Sequence, residues 1–215
     1  MDIELSNQNS NESSGPKDFQ QNLQDICLAL ELSEEILKQA IELLEEYRGH
    51  FKPNDQHLPP AAIHVASRIK GQPRTQKMIV DYLRNEDHLF SSSADNLERR
   101  IRENVKKLRK MPDIDVPVVR SKDYLEYISS QLHFDPSKRV LEAAKAYCIV
   151  VESRPGMSRS KAAVAGACLK AAVEDTGRKH TVTHDELAQV TGMNEKTFKD
   201  NLIDIRENII KPAKN

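Results

Sequence analysis

Two alanine-rich stretches constrain this chain more than anything else in it. One is AAIHVASRIKGQPRTQKMI, Ala61 to Ile79. The other, AAVAGACLKAAVEDTGRKHTVTHDELAQV, returns roughly 100 residues later. Small side chains let neighbouring helices approach a helix backbone closely, so such a segment suits the centre of a bundle rather than its rim. Ala61, Ala62 and Ala66 supply this in the first stretch; Ala162, Ala163, Ala165, Gly166, Ala167 and Cys168 supply it in the second. High helix propensity alone does not explain Gly166, because glycine costs about 1 kcal/mol relative to alanine inside a helix.

The rest of the sequence repeats in the same register. LELSEE starts at Leu30 and LHFDPS at Leu132; Ala61-Ala62 answers Ala162-Ala163. Apolar residues at Phe19, Leu23, Ile26, Cys27 and Leu30 have helical spacing, and Ser33 is placed to cap a second helix. The spacing then predicts helices over 61–69, over 76–83 after a Thr75 cap, and over 93–110. Beyond MPDIDVPVV the series starts again. It runs through 124–132, a helix opened by an Asp135 cap and Pro136, the alanine-rich segment 160–173, a helix with a Thr183–Glu186 capping box, and one capped by Asn194 that runs to about 210. No run alternates with the period of a strand. These patterns predict an all-α protein of two tandem five-helix units, a duplication. The expected boundaries are a disordered acidic and polar tail (1–17), a first unit (18–111), a linker (112–119) and a second unit (120–215).

Net charge is −1 overall, which hides an asymmetry. Residues 1–50 hold 3 Lys and Arg against 11 Asp and Glu, whereas 51–119 hold 13 against 9 and 120–215 hold 16 against 13. The acid therefore sits in the tail and first two helices, with Glu31, Glu34, Glu35, Glu42, Glu45 and Glu46 concentrated around the second. The remainder is mildly basic, and local field rather than overall charge steers a nucleic acid. No apolar run reaches the ~18–20 residues that a membrane span needs, and the polar N-terminus shows no secretory signal, so an intracellular location is expected. The three cysteines (Cys27, Cys148, Cys168) are widely spaced within apolar helical patterns, which reads as buried thiols rather than a disulfide framework or zinc site.

THDELAQVTGMNEKTFKDNLIDIRE has the pattern of a helix-turn-helix: a capped helix, a glycine turn at Gly192, and a second helix opened by Asn194. On that helix Lys196 and Lys199 share a face that Thr197 extends, while Phe198 and Leu202 face the core. Arg99, Arg102, Lys106 and Arg109 follow i, i+3, i+7, i+10 along the fifth helix, opposite Ile101, Val105 and Leu108. Such a stripe is either a solvated face or the footprint of a phosphate-contacting helix. Arg74, in a turn before a helix N-terminus, is a second phosphate candidate. Arg120, Lys161, Arg178 and Lys179 extend the path into the second unit.

AAIHVASRIKGQPRTQKMI resembles the third-to-fourth helix segment of the cyclin-like repeat in archaeal transcription factor B and eukaryotic transcription factor IIB. VPVVRSKDYLEYISSQL resembles the entry to that family's second repeat, and GMNEKTFKDNL the turn and recognition-helix start there. The resemblance spans about Phe19 to Ile210. It implies two cyclin folds that bind promoter DNA together with TATA-box-binding protein, with RNA polymerase as a further partner. It also implies base-edge contacts at Lys196 and Lys199. The family often has an apolar residue and an arginine there, and lysine discriminates less than bidentate arginine, so altered sequence preference is expected. In the family, acidic and polar surface of the core meets a basic protein partner. Its N-terminal zinc ribbon has no counterpart in these residues, so the expectation is either a modulator that occupies the promoter without recruiting polymerase in the usual way or the core of a longer factor.

No phosphate-binding glycine loop of either common type is present. His64, His133, His180 and His184 lack metal-ligand spacing, and GMSRSK is not a serine nucleophile motif with its supporting residues. The sequence predicts a monomer without cofactor or metal and without enzymatic activity, working in the cytoplasm or nucleoid, or the nucleus in a eukaryote. The alternative of another class is a cyclin-like protein-interaction module that never touches DNA.

Overall fold

The computed structural model describes residues 16–85, 94–154, 160–177, 181–210 and 212. The expected tail up to residue 15 lies outside them, as do Arg178 and Lys179. The fold is all-α. In chain order the helices are α1 (Pro16–Ala29), α2 (Glu34–Tyr47), α3 (Leu58–Ile69), α4 (Gln76–Asn85), α5 (Ala94–Leu108), α6 (Leu125–Gln131), α7 (Lys138–Glu152), α8 (Lys161–Asp175), α9 (His184–Thr191) and α10 (Glu195–Ile205). A 3₁₀ turn (Ser121–Tyr124) leads into α6, and a π-helical turn (Arg206–Ile210) follows α10.

The buried apolar side chains fall into two clusters. One runs from Leu23 to Leu108, the other from Tyr124 to Ile210 with Met78 of α4 added from the first half. Each surrounds its alanine-rich helix: α3 packs against α1, α2, α4 and α5, and α8 against α6, α7, α9 and α10. Every residue of α3 from Leu58 to Ser67 is buried, as is every residue of α8 from Ala162 to Val173. Gly166 is where the approach is closest: a Cβ there would lie 2.8 Å from Thr191 Cγ2 and 3.2 Å from Phe198 Cε2. The three thiols are buried and free. Burial pushes Cys27 up to about 11, and the Cys148 thiol with burial pushes Cys168 well above its usual value, so neither Cys27 nor Cys168 is a reactive thiolate at neutral pH.

The two clusters share a turn. After α1, Glu31 adopts a left-handed backbone, Leu32 N–H donates to Cys27 C=O at 2.8 Å and Glu31 N–H to Leu28 C=O at 3.2 Å. After α6, His133 does the same, with Phe134 N–H on Ser129 C=O and His133 N–H on Ser130 C=O, both at 3.0 Å. Both are Schellman closures, in the same register as the sequence repeat.

Several boundaries differ from those expected. Pro59 and Pro60 belong to the first turn of α3, where their missing N–H groups are tolerated, rather than to the loop before it. Helix α1 already includes Pro16 and Lys17, which were expected to be tail. Asp135 does not cap α7: Ser137 does, accepting from Val140 N–H at 3.4 Å. The first unit passes from its left-handed residue to its cap in two residues (31 to 33) and the second in four (133 to 137), so Asp135 and Pro136 extend the link instead of starting the helix. The expected linker is anchored at both ends, because Ile114 and Val116 pack against the first cluster and Val119 against the second.

Two titratable groups make this fold acid-labile in separate windows. His64 on α3 is almost fully buried, which holds its pKa at about 3. The unfolded chain protonates that ring below about 6.5, so stability from the neutral ring is complete above that value. It is lost as pH falls towards 3, at up to about 1.4 kcal/mol per pH unit. Burial alone raises the pKa of Asp55, but hydrogen bonds from His57 and Asn104 outweigh it and hold the carboxyl at about 2. Its contribution is present above the unfolded value and disappears only as pH falls through about 2. Urea midpoints measured between about pH 7 and 4 are expected to fall in the parent and to fall clearly less in His64→Leu, where His184, also lowered by burial, still titrates. A parallel decline in both proteins refutes the assignment.

Candidate nucleic-acid interface

Helices α9 and α10 are joined by Gly192, Met193 and Asn194. Thr183 opens α9 with the expected capping box: its hydroxyl accepts from Glu186 N–H, and the Glu186 carboxylate accepts from Thr183 N–H at 2.8 Å. Gly192 is left-handed (φ 70°), and Met193 N–H closes the turn on Ala188 C=O at 2.8 Å. Asn194 Oδ1 then accepts from Thr197 N–H at 2.8 Å and starts α10. Phe198 and Leu202 are buried against α8, so the opposite face of α10 is forced outward. Lys196, Thr197 and Lys199 are all exposed on it. Lys199 pairs with Glu195 at 2.6 Å and holds that carboxyl below its usual range, while Lys196 makes no ion pair among the described residues. The face is not uniformly basic, because α10 also carries Glu195, Asp200 and Asp204.

The α5 stripe is exposed as its spacing implies, with Ile101, Val105 and Leu108 buried behind it. Half of it is neutralised within the helix. Arg99 pairs with Glu103 at 2.9 Å, and Arg102 pairs closely with Glu98. Lys106 and Arg109 are exposed without an ion pair among the described residues. They are the stripe's strongest candidates for phosphate. Helix α5 packs on α3 and α4, while α10 packs on α8 and α9, so the two basic edges belong to different clusters. Arg120 is exposed, and Lys161 pairs with Glu152 at 3.1 Å.

Arg74 is a correction. It is only 4 % exposed, and its guanidinium points inward, donating to Leu30 C=O at 3.1 Å and stacking 3.7 Å from the centre of the Tyr127 ring. Burial lowers its pKa to about 10, still far above neutrality, so it remains a cation. A guanidinium so enclosed is not available to a phosphate. The sequence pattern around it was right about the turn (Thr75 Oγ1 accepts from Met78 N–H at 3.1 Å) but silent on which way the arginine points.

Lys77 was missed. Its stem packs on the Gly192 turn, where a Cβ would sit 3.1 Å from Lys77 Cδ, and it shares a shallow groove with Asn194 and Thr197. No local pattern announces a contact between residues more than 100 positions apart. Among the described residues no group of His, Cys, Asp or Glu is placed to hold a metal ion, and no helix is long and apolar enough to cross a membrane. No family model matches this chain, and no curated protein matches it.

Proposed function

We propose that the chain is a transcription initiation factor B-like protein that binds promoter DNA together with TATA-box-binding protein. In this reading the two clusters are cyclin-like repeats and α9–α10 is a helix-turn-helix. The observation that carries it is the outward first turns of α10. Buried Phe198 and Leu202 fix the helix, a glycine turn and an asparagine cap set its start, and Lys196, Thr197 and Lys199 stand exposed there. A recognition helix needs that arrangement, since its N-terminal residues reach base edges while phosphates are met by flanking cations. Lys106 and Arg109 supply such cations on the first repeat. The segments that resemble the transcription factor B family add to this, and RNA polymerase is the further partner they imply.

A second reading has its own observation. Helix α10 carries three carboxylates beside its two lysines, and half of the α5 stripe is internally paired. An apolar cleft of about 310 Å³ between α1, α2 and the start of α3, lined by Leu23, Ile41, Leu44 and Leu58, suits a protein-interaction module. A gel shift decides between them. Adding the chain to promoter duplex and TATA-box-binding protein at low salt is expected to give a slower complex that dissolves steeply as salt rises. No slower complex at any salt leaves the interaction module.

A further inference from the structure

The turn between α3 and α4 is built to hold one side chain still. Gly71, left-handed at φ 71°, closes α3 through Gly71 N–H on Arg68 C=O at 3.1 Å and Gln72 N–H on Ser67 C=O at 2.9 Å. Ser67 Oγ donates to His64 C=O at 3.0 Å and accepts from Arg74 N–H at 3.3 Å. Thr75 then caps α4. Arg74 is thereby fixed at both backbone sides, and its side chain is presented to the second cluster rather than to solvent.

What it meets there comes from both halves of the chain. Leu30 C=O lies at the C-terminal end of α1; Tyr127 belongs to α6. Around this point the halves touch repeatedly. Gln131 Nε2 donates to Glu31 Oε2 at 3.0 Å, the Arg68 charge acts on the buried Tyr124 phenol, and Met78 of α4 is buried within the second cluster. Lys77 adds its stem against Gly192.

We infer that Arg74 is the bolt of a fixed joint between the two halves. Its guanidinium, clasped between the Leu30 carbonyl and the Tyr127 ring, sets one orientation of the first half against the second. Resting on the DNA-binding reading, this makes Arg74 a positioning residue. It fixes how the α5 edge and the α10 edge are presented to one duplex, and touches neither phosphate nor base. The direction of the fork matters, because guanidinium both stacks on a ring face and donates in its own plane, which an ammonium cannot do together.

The joint is tested in the full chain with spin labels on Lys38→Cys and Ile149→Cys, exposed sites on α2 and α7; the three native thiols are buried. One narrow distance distribution is expected in the parent and a clearly broader one in Arg74→Ala, with Arg74→Lys intermediate. Tyr127→Ala, which removes the ring and leaves the arginine and its carbonyl in place, is expected to broaden it likewise and serves if Arg74→Ala loses helicity. A broad distribution in the parent, or an unchanged one in both alanine variants, overturns the joint. The functional consequence has a separate signature. Arg74→Ala is expected to weaken promoter binding about tenfold, because only a fraction of molecules holds the competent orientation, while the dependence of log affinity on log salt keeps its slope. A slope lowered by about one unit instead makes Arg74 a phosphate contact and refutes the positioning role. If no DNA is bound at all, the function reading falls, and the distance measurement still decides the joint.

Discussion

Replacing Phe198 with alanine is expected to cost about 3–5 kcal/mol of stability, the usual range for emptying a fully buried aromatic site. Phe198 has no exposed surface and fills the space between α10 and the glycine on α8. The helices on either side are held apart by their other contacts, so the cavity does not collapse fully and the loss adds to that of buried area. Chemical denaturation followed by circular dichroism measures it, and a loss under about 1 kcal/mol shows that α10 is not anchored this way. The partner substitution sharpens the test. Gly166→Ala gains about 1 kcal/mol of helix propensity but places a methyl 2.8 Å from Thr191 Cγ2. Overpacking of that kind costs about 1–3 kcal/mol, so a net loss is expected. Thr191→Ser removes the opposing methyl, and Gly166→Ala is expected to become nearly neutral in that background. Equal costs in both backgrounds contradict close packing at Gly166.

The double reversal Lys196→Glu with Lys199→Glu is expected to weaken promoter binding about a hundredfold near physiological salt. Each lost base-edge contact costs about 1–3 kcal/mol, and the new carboxylates join Glu195, Asp200 and Asp204 on the same helix and repel the phosphates, which lowers the salt slope. The two lysines are not equivalent. Lys199 already shares its charge with Glu195 at 2.6 Å, so breaking that pair offsets part of what a contact with a base edge would gain. Lys196 has no such competitor among the described residues, and Lys196→Glu alone is expected to have the larger effect. Both side chains are exposed, so helicity and urea midpoint stay within about 0.5 kcal/mol of the parent. Retained affinity with an unchanged salt slope in the double variant excludes α10 as the DNA-contacting helix.

Much of the local structure could be read from the residues alone. The Thr183 capping box, the Thr75 and Asn194 caps, the inward set Ile101, Val105 and Leu108, and the slim helices around Ala61–Ala66 and Ala162–Cys168 are all present. Each depends on side chains within about one or two turns of one another, where helix geometry fixes who meets whom. Where two local rules competed, the reading failed. A proline can open a helix or precede its cap, and at Pro136 the second held because the link there is two residues longer. Pro59 and Pro60 show the reverse.

Charge was legible as composition and not as availability. The stripe Arg99, Arg102, Lys106, Arg109 is where its period put it, but Glu98 and Glu103, interleaved on the same helix, occupy two of its members. Sequence by itself determined that this chain is helical, that it repeats, and which faces of its helices are apolar, because these follow from periodicity and from short-range hydrogen bonding. Only the tertiary structure decided that Arg74 turns inward to a ring from the other half, that Met78 belongs to the second cluster, and that Lys77 braces the α9–α10 turn. The Arg74–Tyr127 and Lys77–Gly192 contacts join residues 53 and 115 positions apart, and their geometry depends on how two assembled helix clusters meet, which no local pattern encodes.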